Sequence, residues 1–225
     1  MITSSTLQFL KELAQNNERE WFHAHAGAYA AAKQNVLNTA QALMTEICRF
    51  DASLNYVDPK RCLFRIARDT RFSHDKSPYK PNFGLLFHAL GTKAKAGIPG
   101  YYLHIQPDNS FVSCGIYCPP PDILRTIRKS IYDNWEEFNA ILHPPTPVAW
   151  EGLYRDEDAL KRVPNGFPKE HPSAPCLMLK HFYLLVPLTD AALQSPDLTK
   201  KAAGHYQTMQ PFNRFMEEAI GGTDN

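Results

Sequence analysis

The sequence predicts an α+β fold, with a largely antiparallel central sheet covered by N-terminal helices and a C-terminal helix. Three observations predict it. Apolar residues recur at helical spacing through the first fifty residues and again near the C-terminus. Between these regions, short apolar segments follow one another across turn signals, the order of a meander and not of a βαβ alternation. The 225 residues are 44% hydrophobic and 21% charged, enough for one self-supporting core, so a single domain over residues 1–225 is expected.

Each element has its own signal. Ser5 and Gln8 stand at capping-box spacing, and Leu7, Leu10 and Leu13 follow near the 3.6-residue period. Asn17 and Glu20 repeat the cap pattern and open a short helix carrying Trp21 and Phe22. A longer helix is predicted from Ala28 to Arg49, with Tyr29, Ala32, Val36, Ala40, Leu43 and Ile47 on its apolar face. Leu63–Ala67 reads as a strand, with Phe64 and Ile66 on one face and Arg65 on the other. Further strands are expected at Phe83–Leu90, Tyr101–Gln106 and Phe111–Tyr117, the last two joined by the turn Pro107-Asp108-Asn109-Ser110. Gly91–Gly100 reads as an exposed loop. Pro119-Pro120-Pro121 precedes a helix with Leu124, Ile127 and Ile131, and Asn134 with Glu137 caps another carrying Trp135, Phe138 and Ile141. Residues 144–175 hold seven of the 18 prolines, too many for a regular core element, and read as a surface crossing with one helical turn near Asp158–Arg162. Phe182–Leu188 is the last strand. Pro196-Asp197 starts the terminal helix, with Leu198, Tyr206, Met209 and Phe215, which Pro211 is expected to kink or divide.

Composition excludes several classes. Twenty-four basic residues against 23 acidic ones give a net charge of +1, unlike a nucleic-acid coat or a membrane-surface protein. The N-terminus lacks the pattern of a secretory signal, and no run of 18 apolar residues predicts a membrane span. Five scattered cysteines, an odd number, read as free thiols in a cytoplasmic protein. The phosphate-cradling, dinucleotide, nucleophile-elbow and zinc-protease motifs are all missing from the sequence.

The charge is unevenly spread. Residues 58–82 hold Lys60, Arg61, Arg65, Arg68, Arg71, Lys76 and Lys80 against Asp58, Asp69 and Asp75. Guanidinium groups bind phosphate and carboxylate through paired, planar hydrogen bonds. A strand running into a polar loop holds such side chains at a fixed place. Arg65, Arg68, Arg71, Lys76, Tyr79 and Lys80 are therefore the candidate ligand-binding residues, with Asp69 and Asp75 orienting the cations. Three functions fit this segment. It forms a cleft for an anionic small molecule. It contacts nucleic acid or protein, with Phe72 and Tyr79 stacking on bases, which the neutral total disfavours. Or its arginines satisfy Asp69 and Asp75 internally, and the cluster is structural.

This segment resembles the signature of the domain-of-unknown-function 2461 family. Its most specific stretch is Phe64-Arg65 through Arg68-Asp69-Thr70-Arg71-Phe72-Ser73, continued by Asp75-Lys76-Ser77-Pro78-Tyr79-Lys80. Asn17-Glu18-Arg19-Glu20-Trp21-Phe22 followed by Tyr29, Pro99-Gly100-Tyr101-Tyr102-Leu103-His104, and His181-Phe182 resemble further blocks. The resemblance implies one mixed α and β domain and no activity. Ser113-Cys114-Gly115-Ile116-Tyr117-Cys118 departs from it, because Gly-rich versions are usual there.

Other groups carry weaker signals. His104 shares strand parity with Tyr102 and Gln106 and is a candidate acid or base, as are Asp69 and Glu20. His23 and His25 lie about 200° apart on a helix and cannot clamp one metal. Cys114 and Cys118 lack a second ligand pair, so no metal and no cofactor are expected. Cys62 lies beside the basic segment, where its pKa would fall if the thiol is exposed to that charge. Asp156-Glu157-Asp158 reads as a solvated acidic turn. The partner expected is an anionic small molecule; the sequence leaves open whether the chain is an enzyme and how it assembles.

Overall fold

In a computed structural model that describes residues 1–71, 74–93 and 97–221, helices flank one four-stranded antiparallel sheet, the α+β class expected. The strands β1 (Phe83–Phe87), β2 (Gly100–Ile105), β3 (Ser110–Ile116) and β4 (Phe182–Leu188) neighbour each other in chain order. Alternation sets the buried face: Leu103, Ile105, Val112, Cys114, Ile116, Leu184 and Val186 are buried, while Tyr102, His104, Phe111 and Tyr183 on the opposite face are half-buried. The chain groups into two compact units interleaved in sequence.

The first unit comprises Met1–Lys93, Tyr102–Val112 and Pro187–Gly204. It begins with α1 (Ser4–Gln15), which buries Leu7, Phe9, Leu10 and Leu13. The cap is Thr3, whose hydroxyl accepts from the Thr6 N–H at 3.3 Å; Ser5 lies inside the helix and Gln8 reaches Glu12 instead. Next come α2 (Arg19–Ala24) and α3 (Ala26–Ile47). Asn17 does not cap α2: the N-cap is Glu18, without a side-chain bond. Phe9, Trp21, Phe22 and Tyr29 pack ring against ring, and Tyr29 stacks on Phe83 at 6.4 Å, fixing α3 on β1.

Leu63–Ala67 is not a strand. Its ends make isolated antiparallel bridges, Leu63 to Leu85 and Ala67 to Tyr79, after a 3-10 turn at Pro59–Cys62. Prolines 78 and 81 flank Tyr79 and Lys80 and supply no N–H, so that ladder cannot lengthen. Gly91–Lys93 forms a 3-10 turn within the expected loop, whose residues 94–96 lie outside the described residues. The hairpin between β2 and β3 turns as expected: Asp108 takes a φ of 60°, and the Ser110 hydroxyl donates to the Gln106 carbonyl at 2.6 Å. No helix was expected at α7 (Asp190–Leu193), which the Thr189 hydroxyl caps by accepting from the Ala192 N–H at 3.1 Å.

The second unit comprises Ala94–Tyr101, Ser113–Val186 and His205–Asn225. Here α4 (Pro121–Asp133) buries Ile127 and Ile131, and α5 (Trp135–Leu142) buries Phe138 and Leu142. Asn134 joins the two helices, its amide donating to the Ser130 carbonyl at 3.1 Å and not to α5. The proline-rich crossing is irregular as expected. Its only described helix is α6 (Ala174–Leu177); the turn near Asp158–Arg162 is not helical. Gly115 has a φ of 133°, and a Cβ there would lie 2.2 Å from the Phe182 carbonyl oxygen.

The terminal helix α8 (Leu198–Gly221) continues through Pro211. One missing donor is tolerated because Met209, Phe212, Phe215 and Met216 on both sides of it are buried. Within the second unit, Phe212 and Phe215 pack on Phe138, and the Cys114 thiol points at the Met209 carbonyl at 3.5 Å.

Candidate functional site

The first unit holds a cavity of about 510 Å³ lined by Asn17, Glu18, Arg19, Ala67, Arg68, Thr70, Lys76, Pro78 and Tyr79. Two short segments build it. Residues 66–68 pair with residues 78–80: the Arg68 N–H donates to the Pro78 carbonyl at 2.9 Å, and the Lys80 N–H to the Ile66 carbonyl at 2.8 Å. These two bonds leave the outer backbone edge of Tyr79 open. The Asn17 amide fills it as a peptide group would, donating to the Tyr79 carbonyl at 2.9 Å and accepting from its N–H at 3.0 Å. Phe22 stacks on the Tyr79 ring at 3.9 Å. The Asn17–Phe22 block is thereby tied to the basic segment, which places Arg19 on the same cavity as Arg68 and Lys76.

The cations are held individually. Arg68 donates from Nη1 to the Asp75 carboxylate and to the Ser77 hydroxyl, the latter at 2.5 Å. The Ser77 N–H also bonds Asp75, at 2.9 Å. The Arg68 hydrogen bond, followed by those from Ser77, pulls the Asp75 pKa down to about 2. The Lys76 ammonium donates to the Thr70 carbonyl at 3.0 Å. Arg19 is exposed, and its side chain has no hydrogen bond or ion pair among the described residues.

Other expected site residues lie elsewhere. Arg71 turns onto Asp69 with two side-chain bonds of 2.9 and 2.7 Å, which lower the Asp69 pKa and raise that of Arg71. Arg65 is exposed and outside the cavity lining. Lys80 is half-buried, with its ammonium 5.5 Å from the centre of the Phe64 ring. Burial lowers its pKa first, and the charges of Arg65 and Arg68 lower it further. Glu20 is exposed in the first turn of α2, outside the lining. Phe72 lies outside the described residues. The sequence reading missed Arg19, although the Asn17–Phe22 block contains it.

His104 belongs to a separate polar row on β2. Its Nε2–H donates to Gln106 Oε1 at 2.9 Å, so Nδ1 accepts from the Tyr102 hydroxyl at 3.1 Å. Gly84 makes room for that hydroxyl, since a Cβ there would lie 2.5 Å from it. Burial holds the His104 pKa below its ordinary value, with the Gln106 bond opposing in part. Cys62 is fully buried and its pKa is pushed up to about 12, first by burial and then by Asp58; Arg61 opposes this only in part. The basic segment therefore does not activate it.

Among the described residues, no His, Cys, Asp and Glu group could hold a metal ion, and no helix is long and apolar enough to cross a membrane. The family model described as conserved hypothetical protein (DUF2461) matches residues 5–215. No curated protein and no solved structure matches the chain.

Proposed function

The chain belongs to the family of conserved hypothetical proteins (DUF2461), and we propose that it binds a small molecule bearing a phosphate or carboxylate in the cavity lined by Arg19, Arg68 and Lys76. The observation that carries this is the lining itself: three cations from two segments face Glu18 as the one acidic lining residue. Asp75 and Ser77 fix the Arg68 fork in place, which reduces the ordering that an anion must impose. Arg19 supplies donors that no described residue takes up. Thr70 and Tyr79 are further polar residues of the lining.

Titration calorimetry with inorganic phosphate, and separately with succinate, tests the proposal. One of the two anions should bind saturably, and Arg19→Ala should weaken it about tenfold, the loss of one charge-assisted contact. Arg19 is exposed, so this variant keeps its fold. Heats at the dilution baseline for both anions, or an unchanged affinity in Arg19→Ala, would defeat the proposal.

A structural role for the cluster is favoured by one specific observation, the pairing of Arg68 with Asp75 and of Arg71 with Asp69. Asp69, Arg71 and Asp75 are exposed to solvent, where screening leaves such pairs little net stabilising effect. They order the segment more than they hold the unit together.

A further inference from the structure

We propose that Tyr117, Tyr154 and Tyr183, in the second unit, form a binding site for a methylated ammonium group. It is independent of the anion cavity.

The rings are placed by backbone. The Tyr154 N–H donates to the Tyr183 carbonyl at 3.0 Å, which sets the 154–158 segment beside β4. Tyr154 stacks on Tyr183 at 5.4 Å between ring centres, and Tyr117 meets the same ring at 6.2 Å and 63°. Tyr117 also stacks on His181 at 4.5 Å. No ring contact joins Tyr117 to Tyr154 among the described residues. Yet Tyr117 is 66% exposed and Tyr154 47%, in a chain that buries most of its large apolar side chains. Two open ring faces therefore flank Tyr183.

Two carboxylates, Asp156 and Asp158, lie close to these rings. The Tyr183 hydroxyl donates to Asp156 Oδ1 at 2.9 Å, while Asp156 Oδ2 is buried and has no hydrogen-bond partner among the described residues. A buried carboxylate oxygen without a donor is an unused acceptor beside the Tyr183 hydroxyl. Asp158 adds a second carboxylate, 3.4 Å from His181 Nε2 and 3.5 Å from the Lys180 ammonium. Residues 156–158 are thus not merely a solvated turn.

These features select the ligand class. Aromatic faces attract cations through their quadrupole, and a large, weakly hydrated ammonium loses little solvation on meeting them. The carboxylates disfavour an anion. A metal ion would need several ligating oxygens converging on it, and no such group is present among the described residues.

The test titrates the full chain with choline and with its neutral isostere 3,3-dimethylbutan-1-ol, following tyrosine ring protons by NMR. Choline should give saturable shifts at Tyr117 and Tyr154 and the alcohol none. Tyr154→Ala should weaken choline about tenfold, Tyr154→Phe should retain it, and Asp156→Asn should weaken it, each at an unchanged Tm or with circular dichroism verifying the fold. Equal binding of the alcohol would reduce the cluster to an apolar patch and overturn the proposal. So would a lack of saturable shifts with choline, or an unaltered affinity in Tyr154→Ala.

Discussion

Replacing Asn17 with alanine removes the side chain that holds the outer edge of Tyr79. The amide makes two hydrogen bonds there, at 2.9 and 3.0 Å, and both residues are half-buried. Each bond contributes about 1 kcal/mol, and leaving the Tyr79 N–H and carbonyl poorly hydrated adds up to about 1 kcal/mol apiece, so the loss is about 2–4 kcal/mol. For a chain of this length, each kcal/mol lowers Tm by about 2–4 °C, so scanning calorimetry should show a fall of about 4–16 °C. Asn17→Asp should fall at least as far, because it keeps the acceptor but sets a carboxylate oxygen against the Tyr79 carbonyl. Phosphate binding should weaken in both variants, since Arg19 follows two residues later. A fall below about 2 °C in Asn17→Ala, within the range of ordinary surface substitutions, would refute the tie between these segments.

Gly115→Ala should cost more than about 3 kcal/mol in urea denaturation, since a positive φ and backbone atoms of Phe182 and Tyr183 both oppose a Cβ; a wild-type midpoint would contradict this. The Asp75 carboxyl carbon should titrate by NMR with a midpoint at about pH 2 and move upward in Arg68→Ala. Because its folded pKa is depressed, its pairing contributes above the ordinary carboxylate range and is lost as pH falls through about 2, so no loosening from this group should appear between pH 5 and 8. His104 has a depressed pKa as well, so the unfolded chain takes up its proton first and stability should fall as pH drops below the ordinary histidine range. His104→Gln should flatten that decline in thermal melts. A thiol reagent at neutral pH should label exposed Cys118 first and spare buried Cys62 and Cys114 in the native protein, as peptide mapping can determine.

Periodicity located the longer helices and the four strands because burial on one face leaves its imprint locally. Leu7, Leu10 and Leu13, or Val36, Ala40 and Leu43, need no knowledge of what they pack against. The errors fall where the same residue type serves a distant partner. Asn17 has the position of a helix cap, and its amide instead bonds a backbone 62 residues away. Leu63–Ala67 alternates as a strand does, but its partner segment carries two prolines that end the ladder. The basic segment was visible as a charge imbalance. Which of its cations share a cavity depends on ion pairs within the loop and on Arg19 from another element, and neither leaves a periodic trace. The tyrosine cluster was invisible for the same reason, since Tyr117, Tyr154 and Tyr183 meet only after the proline-rich crossing returns to β4.

The outer edge of Tyr79 also bears on self-association. An open backbone edge is a template on which a second chain can add a strand, and proteins ordinarily blunt such edges with charge, proline or a covering element. Here Pro78 and Pro81 shorten the edge, and the Asn17 amide occupies the donor and acceptor left between them. One asparagine thus acts as a stopper against sheet growth from this segment. Its removal would expose an adhesive backbone even at temperatures where the rest of the unit stays folded.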